Sequence, residues 1–189
     1  MRKFALLAGS ALLLAACAHA PLSQEEIEEV PLKPVAHVDL PRYMGRWYLI
    51  ANIPYFAERG NVAPHVDYSL RPDGMIRDVY TAQDAFDKKP FTKNGLIEVL
   101  NKRSNAEGSI SFLPAIWQDY AVLLLDDDYQ ITVIGHPSRN FCWVFSRQPT
   151  LDDGSYQRAL DVLKKNLFDV NRVLKIPQTP DQVGQPGFQ

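Results

Sequence analysis

The side chains of this chain best suited to catalysis or metal binding are its four histidines, two cysteines and one run of aspartates. Their spacing supports neither chemistry. His19, His37, His65 and His136 are scattered, and no two stand in an H-x-x-x-H spacing that would put both rings on one metal. Asp126-Asp127-Asp128 offers carboxylates, yet without further ligands beside it such a run is a solvated turn. There is no Gly-x-Ser-x-Gly and no phosphate-cradling glycine loop, and no nucleophile stands beside a base. No catalytic residue, metal or cofactor is therefore expected. The net charge of −2 leaves no basic face to track a phosphate backbone, so nucleic acid is not an expected partner. Two chemistries remain: one thiol near the N-terminus, and a set of aromatic residues spread along the chain.

The thiol is Cys17. Met1-Arg2-Lys3 is a short basic start, and residues 4–16, FALLAGSALLLAA, are apolar and small. That run is too short to span a bilayer and suits a signal-peptide core. It ends Leu14-Ala15-Ala16-Cys17, which resembles a bacterial lipobox. The lipobox implies cleavage before Cys17, diacylglycerol on its thiol and an acyl chain on its amine. At roughly 0.8 kcal/mol per buried CH₂, such chains hold a protein firmly on a membrane. Ala18 rather than Asp follows the cysteine, which favours the outer over the inner membrane of a Gram-negative cell, with the domain on the periplasmic face. Residues 17–37 then read as a tether, punctuated by Pro21, Pro31 and Pro34 and charged by Glu25, Glu26, Glu28 and Glu29.

The elements that must position the aromatics begin at Gly45-Arg46-Trp47-Tyr48. Strands are expected at 47–53, 66–70, 75–81, 92–102, 109–113, 120–125, 129–135 and 141–147, most joined by tight turns such as Arg71-Pro72-Asp73-Gly74. Eight short strands in a meander close on themselves and so remove their edges. The expected fold is all-β, an eight-stranded antiparallel up-and-down barrel. One helix follows, capped by Asp152 or Asp153, its stripe of Tyr156, Leu160, Leu163 and Leu167 laid against the outside of the barrel. A last short strand is expected at 173–177 and a loose tail at 179–189.

From about residue 38 to 178 the chain resembles the lipocalins, and within them the bacterial outer-membrane branch related to apolipoprotein D. Gly45-x-Trp47-Tyr48 matches the first lipocalin motif, and Leu125-Asp126-x-x-Tyr129 stands where the second falls. Trp143-Val144-Phe145-Ser146-Arg147 matches the third. Phe56-x-Glu58-Arg59-Gly60 is similar to the Phe-Glu-Arg-Gly of the bacterial branch, with Ala57 inserted. The resemblance implies that Gly45, Trp47 and Arg147 close the barrel floor, the guanidinium lying across the indole. It also implies a lipid ligand, a fatty acid or lysophospholipid, held in the lumen for storage or transport. A homodimer is among the assemblies it allows. The alternatives are a lipocalin-fold enzyme acting on a lipid or isoprenoid, and a structural envelope lipoprotein with a filled barrel.

With the floor closed, the ligand enters from the other end. Trp143 shares parity with Arg147 and is expected to point inward. Tyr120, Val122 and Leu124 form one candidate inward set, with Leu123 and Leu125 on an equally apolar opposite face. Phe112, Phe91, Phe56 and Trp117 are expected to line the mouth, and Arg59 or Lys89 to meet an anionic head. Leu49 stands where the bacterial branch has Glu, and Cys142 is expected to point away from Trp143 as a small buried hydrophobe.

Overall fold

The computed structural model describes residues 22–189. Cys17 and the signal segment 1–16 lie outside the described residues. Eight antiparallel strands form the barrel: β1 (Gly45–Ile53), β2 (Val62–Leu70), β3 (Ile76–Gln83), β4 (Phe91–Val99), β5 (Glu107–Leu113), β6 (Ile116–Leu125), β7 (Ile131–Gly135) and β8 (Cys142–Ser146). Each pairs with the next, and β1 pairs with both β2 and β8, which closes the sheet.

The seam between β1 and β2 is the weak join. β1 meets β2 only over residues 45–48. Beyond that point β9 (Leu174–Lys175) takes the vacated edge of β1 at Ala51 and Asn52. Ile176 then donates its amide to the carbonyl of Ile50, and Ala63 donates to that of Pro177. The edge that β1 and β2 leave open is thus covered by the chain's own later strand.

Strand alternation separates two apolar clusters. Inside the barrel lie Trp47, Leu49, Val66, Tyr68, Ile76, Tyr80, Ile97, Val122, Ile134 and Phe145. On its outer face Ala51, Ile53, Leu123, Val133, Cys142 and Val144 meet the helix α3 (Asp153–Lys165) through Ala159 and Leu163. Asp152 caps α3 by accepting the amide of Ser155 at 2.9 Å. Leu49 therefore faces the lumen and Cys142 faces the helix, where burial pushes its thiol up to about 12.

Alternation is broken at two places. A bulge between Leu49 and Ala51 in β1 turns Asn52 inward, and one between Val122 and Leu124 in β6 turns both Leu123 and Leu124 toward the helix. Leu124 is therefore not part of the inward set; Leu125 takes the inward position instead. The described segments that flank the barrel, 22–38 and 179–189, are also more engaged than their composition suggests. The tether contains a short helix, α1 (Gln24–Glu29), with Ser23 and Glu26 forming a capping box. Val35 then donates to the carbonyl of Val122, Lys33 donates to Asn166 Oδ1, and Arg139 donates to the carbonyls of Val30 and Asn166. Residues 179–189, which composition reads as loose, return to the mouth. Gln189 Nε2 donates to Asn52 Oδ1 at 2.6 Å.

Candidate functional site

The closed end is built from three segments. Gly45 adopts a φ of +92°, and a side chain there would stand 3.4 Å from Arg147 Nη1, so glycine both makes the turn and leaves room for the guanidinium. The short helix α2 (Leu40–Tyr43) caps on Asp39 and presents its last carbonyls to the barrel floor. Trp47 is fully buried, its indole N–H donating to the carbonyl of Tyr43 at 2.8 Å. Arg147 lies 3.8 Å above the Trp47 ring. It donates to the carbonyls of Arg42, Tyr43, Met44 and Arg46, and its Nε to that of Tyr129. Arg42 in turn sits 4.0 Å over the ring of Tyr129, whose hydroxyl accepts the amide of Asp39. The aspartate run has a local use: Asp126 Oδ1 accepts the amides of Gln130 and Ile131, fixing the β6–β7 turn.

At the opposite end are the loops 54–61, 84–90, 114–115 and 136–141. Trp143 points inward there, as alternation requires, and pairs with Asn52 across β1 and β8. One loop side chain organises this mouth, and its place along the chain carried no sign of that role. Glu58, from loop 54–61, folds into the barrel and is only 8% exposed. Its carboxyl accepts the indole N–H of Trp143 at 3.1 Å and the side-chain Nδ2–H of Asn52 at 2.9 Å. Burial pushes it up to about 7 against the opposing pull of those two donors and of Lys93. Asn61 donates to the hydroxyl of Tyr80 at 3.0 Å, adding a second polar tie below the loop. Lys93 shares the inward parity of β4 with Phe91, Gly95 and Ile97, its ammonium 5.4 Å from the Phe91 ring. Glu58 was visible in the motif Phe56-x-Glu58-Arg59-Gly60, but a motif residue in a loop carries no parity, so nothing said it would turn in.

Of the aromatics proposed for the lumen and its mouth, Trp143, Tyr120, Phe112 and Phe91 are inside the barrel or packed against its core, with Val122 beside them. The ring of Phe112 lies over Gly95, where an added side-chain carbon would approach it to 2.9 Å. Phe56 and Trp117 are corrections. Phe56 is 86% exposed and Trp117 is 42% exposed, so both project from the rim into solvent instead of turning in to line the mouth. The reason is positional: Phe56 precedes the inward turn of Glu58, and Trp117 lies on the part of β6 that extends past its pairing with β7. Arg59 and Lys89 are likewise exposed, and the inward-parity cation of the mouth is Lys93.

The lumen itself is a further correction. Tyr43, Tyr68, Tyr80, Tyr120, Trp143 and Glu58 fill the space where an oily hollow was expected. The space left beside Tyr43, Tyr68 and Tyr120 is about 10 Å³, room for about one water. A separate cleft of about 250 Å³ lies among Tyr48, His65, Thr81, Pro90, Pro149 and Gln178, mostly on the outer side of the sheet. Among the described residues no cluster of three or more His, Cys, Asp or Glu could hold a metal ion.

Residues 38–178 match the lipocalin-like domain family. Temperature-induced lipocalin-1 of Arabidopsis thaliana is 31% identical over 160 residues, covering 80% of this chain and 86% of that protein. Outer membrane lipoprotein Blc of Citrobacter freundii is 31% identical over 145 residues, covering 76% and 81%. Among solved structures, insecticyanin from the tobacco hornworm Manduca sexta superposes with a TM-score of 0.63 at 17% identity, covering 80% of this chain and 87% of that one. That last likeness speaks for the fold alone.

Proposed function

The chain belongs to the lipocalin-like domain family, and on that premise we propose that it is a lipid-anchored lipocalin that binds a single-chain lipid, a fatty acid or lysophospholipid, at the outer membrane. The observation that carries the reading is the asymmetry of the barrel. One end is locked by Trp47, Arg147 and five backbone carbonyls. The other is stoppered by a loop held from within by two polar side chains, the Glu58 carboxyl and the Asn61 amide. A barrel built only for strength has no need of ends so unequal. Ligand pockets are about 300–1,000 Å³, so an acyl chain enters only if loop 54–61 lifts and the inward aromatics turn aside. The gain is the burial of the chain, roughly 25 cal/mol per Å² of apolar surface. Lys93 at the mouth suits an anionic head.

The filled lumen favours a second reading, a structural envelope lipoprotein, and one experiment separates the two. Protein purified without detergent is titrated with a fluorescent acyl chain, then competed with unlabelled fatty acid or lysophospholipid. The binding reading expects displaceable binding in the micromolar range. It also expects Trp143→Ala to weaken binding roughly ten-fold, about 1.4 kcal/mol, with the far-ultraviolet dichroism unchanged. No displaceable binding would leave the structural reading standing.

The anchor is tested separately. Cys17→Ser is expected to move the protein from the outer-membrane fraction to the soluble periplasmic fraction while leaving its fold intact. Similar sister relatives carry the name outer membrane lipoprotein, which supports this placement. A Cys17→Ser protein that still sediments with membranes would count against anchoring through this thiol.

A further inference from the structure

One ionisable side chain inside the barrel is answered by none of its neighbours. Asp78 is 2% exposed and faces inward from β3, between Tyr68 on β2 and Gly95 on β4. Its Oδ1 has no hydrogen-bond partner. Buried polar oxygens in folded proteins are nearly always paired, so an orphan in the wall of a lumen asks for a partner from outside the chain. The surroundings sharpen what that partner is. Tyr43, Tyr68 and Tyr120 line the small space on this side of the barrel, and Tyr43 already shares its hydroxyl with Thr132. Gly95, opposite Asp78, has no side chain to offer.

Burial, reinforced by Glu58 and Asp67, pushes the Asp78 carboxyl up to about 8, so it is protonated at neutral pH. A protonated carboxyl gives one hydrogen bond and accepts others. A hydroxyl answers both needs. A methyl end answers neither. A carboxylate answers only one and brings a charge into the interior, which an apolar wall penalises heavily.

We propose that Asp78 is a deep hydrogen-bonding subsite, and that it selects apolar ligands carrying a hydroxyl on the end that enters first. The inference rests on the ligand-binding reading above and adds to it a chemical class. A chain with a carboxylate at one end and a hydroxyl at the other satisfies both poles of the lumen, Lys93 at the mouth and Asp78 within.

The test compares hexadecanoic acid with 16-hydroxyhexadecanoic acid as competitors against a fluorescent acyl chain, on the full chain, on Asp78→Val and on Asp78→Asn. The ratio of the two affinities is the readout. It is expected to shift toward the methyl-ended probe on the order of ten-fold in Asp78→Val, because a site built around a hydrogen bond discriminates strongly. Asp78→Asn, which still donates and accepts, is expected to keep most of the wild-type ratio and serves if the valine variant does not fold. An unchanged ratio in the valine variant overturns the inference. So does equal binding of both probes to wild type, the result if a resident water alone satisfies Asp78. If wild type binds neither probe, the ligand-binding reading falls and this inference falls with it.

Discussion

Trp47→Ala is expected to destabilise the protein by roughly 3–5 kcal/mol, the range for deleting a fully buried aromatic. The indole is 0% exposed, so its whole volume becomes a cavity in the floor. The loss also removes the N–H donor of the Tyr43 carbonyl and the face that Arg147 covers at 3.8 Å. A cation–π contact of that kind is worth about 0.5–2 kcal/mol. Arg147→Ala is expected to cost roughly 3 kcal/mol or more, because it strands several backbone acceptors at once. These belong to Arg42, Tyr43, Met44, Arg46 and Tyr129, which lie in two stretches far apart in the chain. Arg147→Lys keeps the charge but not the planar fork, so it is expected to recover less than half of that loss. Urea unfolding at a fixed pH checks all three. Losses below 1 kcal/mol for both alanine variants would mean that the floor is held elsewhere, by α2 and the tether.

The floor was legible in the sequence because its parts are types with few alternatives. A glycine two residues before a tryptophan, and an arginine ending a strand a hundred residues later, name both the turn and the stack. The eight strands were legible because alternation survives in most of them, and the helix because its apolar stripe repeats at the helical period. The lumen was less legible, for three physical reasons. Parity arguments carry only as far as the next bulge. The bulges at Leu49/Ala51 and Val122/Leu124 place Asn52 inside and Leu124 outside, against simple alternation. Loop side chains carry no parity, so Glu58 entered the barrel unannounced while Phe56, two residues earlier, left it. Finally, a carboxylate on an inward register is easily discounted. Asp78 alternates with Ile76 and Tyr80 on the inner face of β3, and the pattern was there to be read.

Glu58 is expected to make both stability and ligand entry depend on pH, and the sign follows from its position. The carboxyl titrates near 4.5 when exposed and is pushed up to about 7 in the fold, chiefly by burial. The folded chain therefore holds a proton that the unfolded chain has released. The stability linked to it is fully present below pH 4.5 and is lost as pH rises through about 7. A gap of that size corresponds to about 3 kcal/mol at most. Asp78 acts in the same direction over the window from 3.8 to about 8. The two carboxyls differ in how the fold can respond. Asp78 sits in a strand paired on both sides, so its ionisation strains the barrel as a whole. Glu58 sits in a loop, so its ionisation is relieved locally, by the loop swinging the carboxylate out to water.

Loop 54–61 is thus expected to open more often above pH 7. The amides of Glu58 and Asn61, which bond to Tyr55 and Glu58 carbonyls within that loop, should lose exchange protection there relative to the strands. Uptake of a fluorescent acyl chain, followed by stopped flow, should quicken roughly ten-fold between pH 6 and 8, the factor that about 1.4 kcal/mol of easier opening supplies. Glu58→Gln keeps acceptors for Trp143 and Asn52 but cannot ionise, so its uptake should stay flat across the same range. A wild-type and a glutamine variant with parallel pH profiles would place the gate somewhere other than Glu58. The rim residues Phe56 and Trp117, exposed on either side of the mouth, would then be the next place to look for what limits entry.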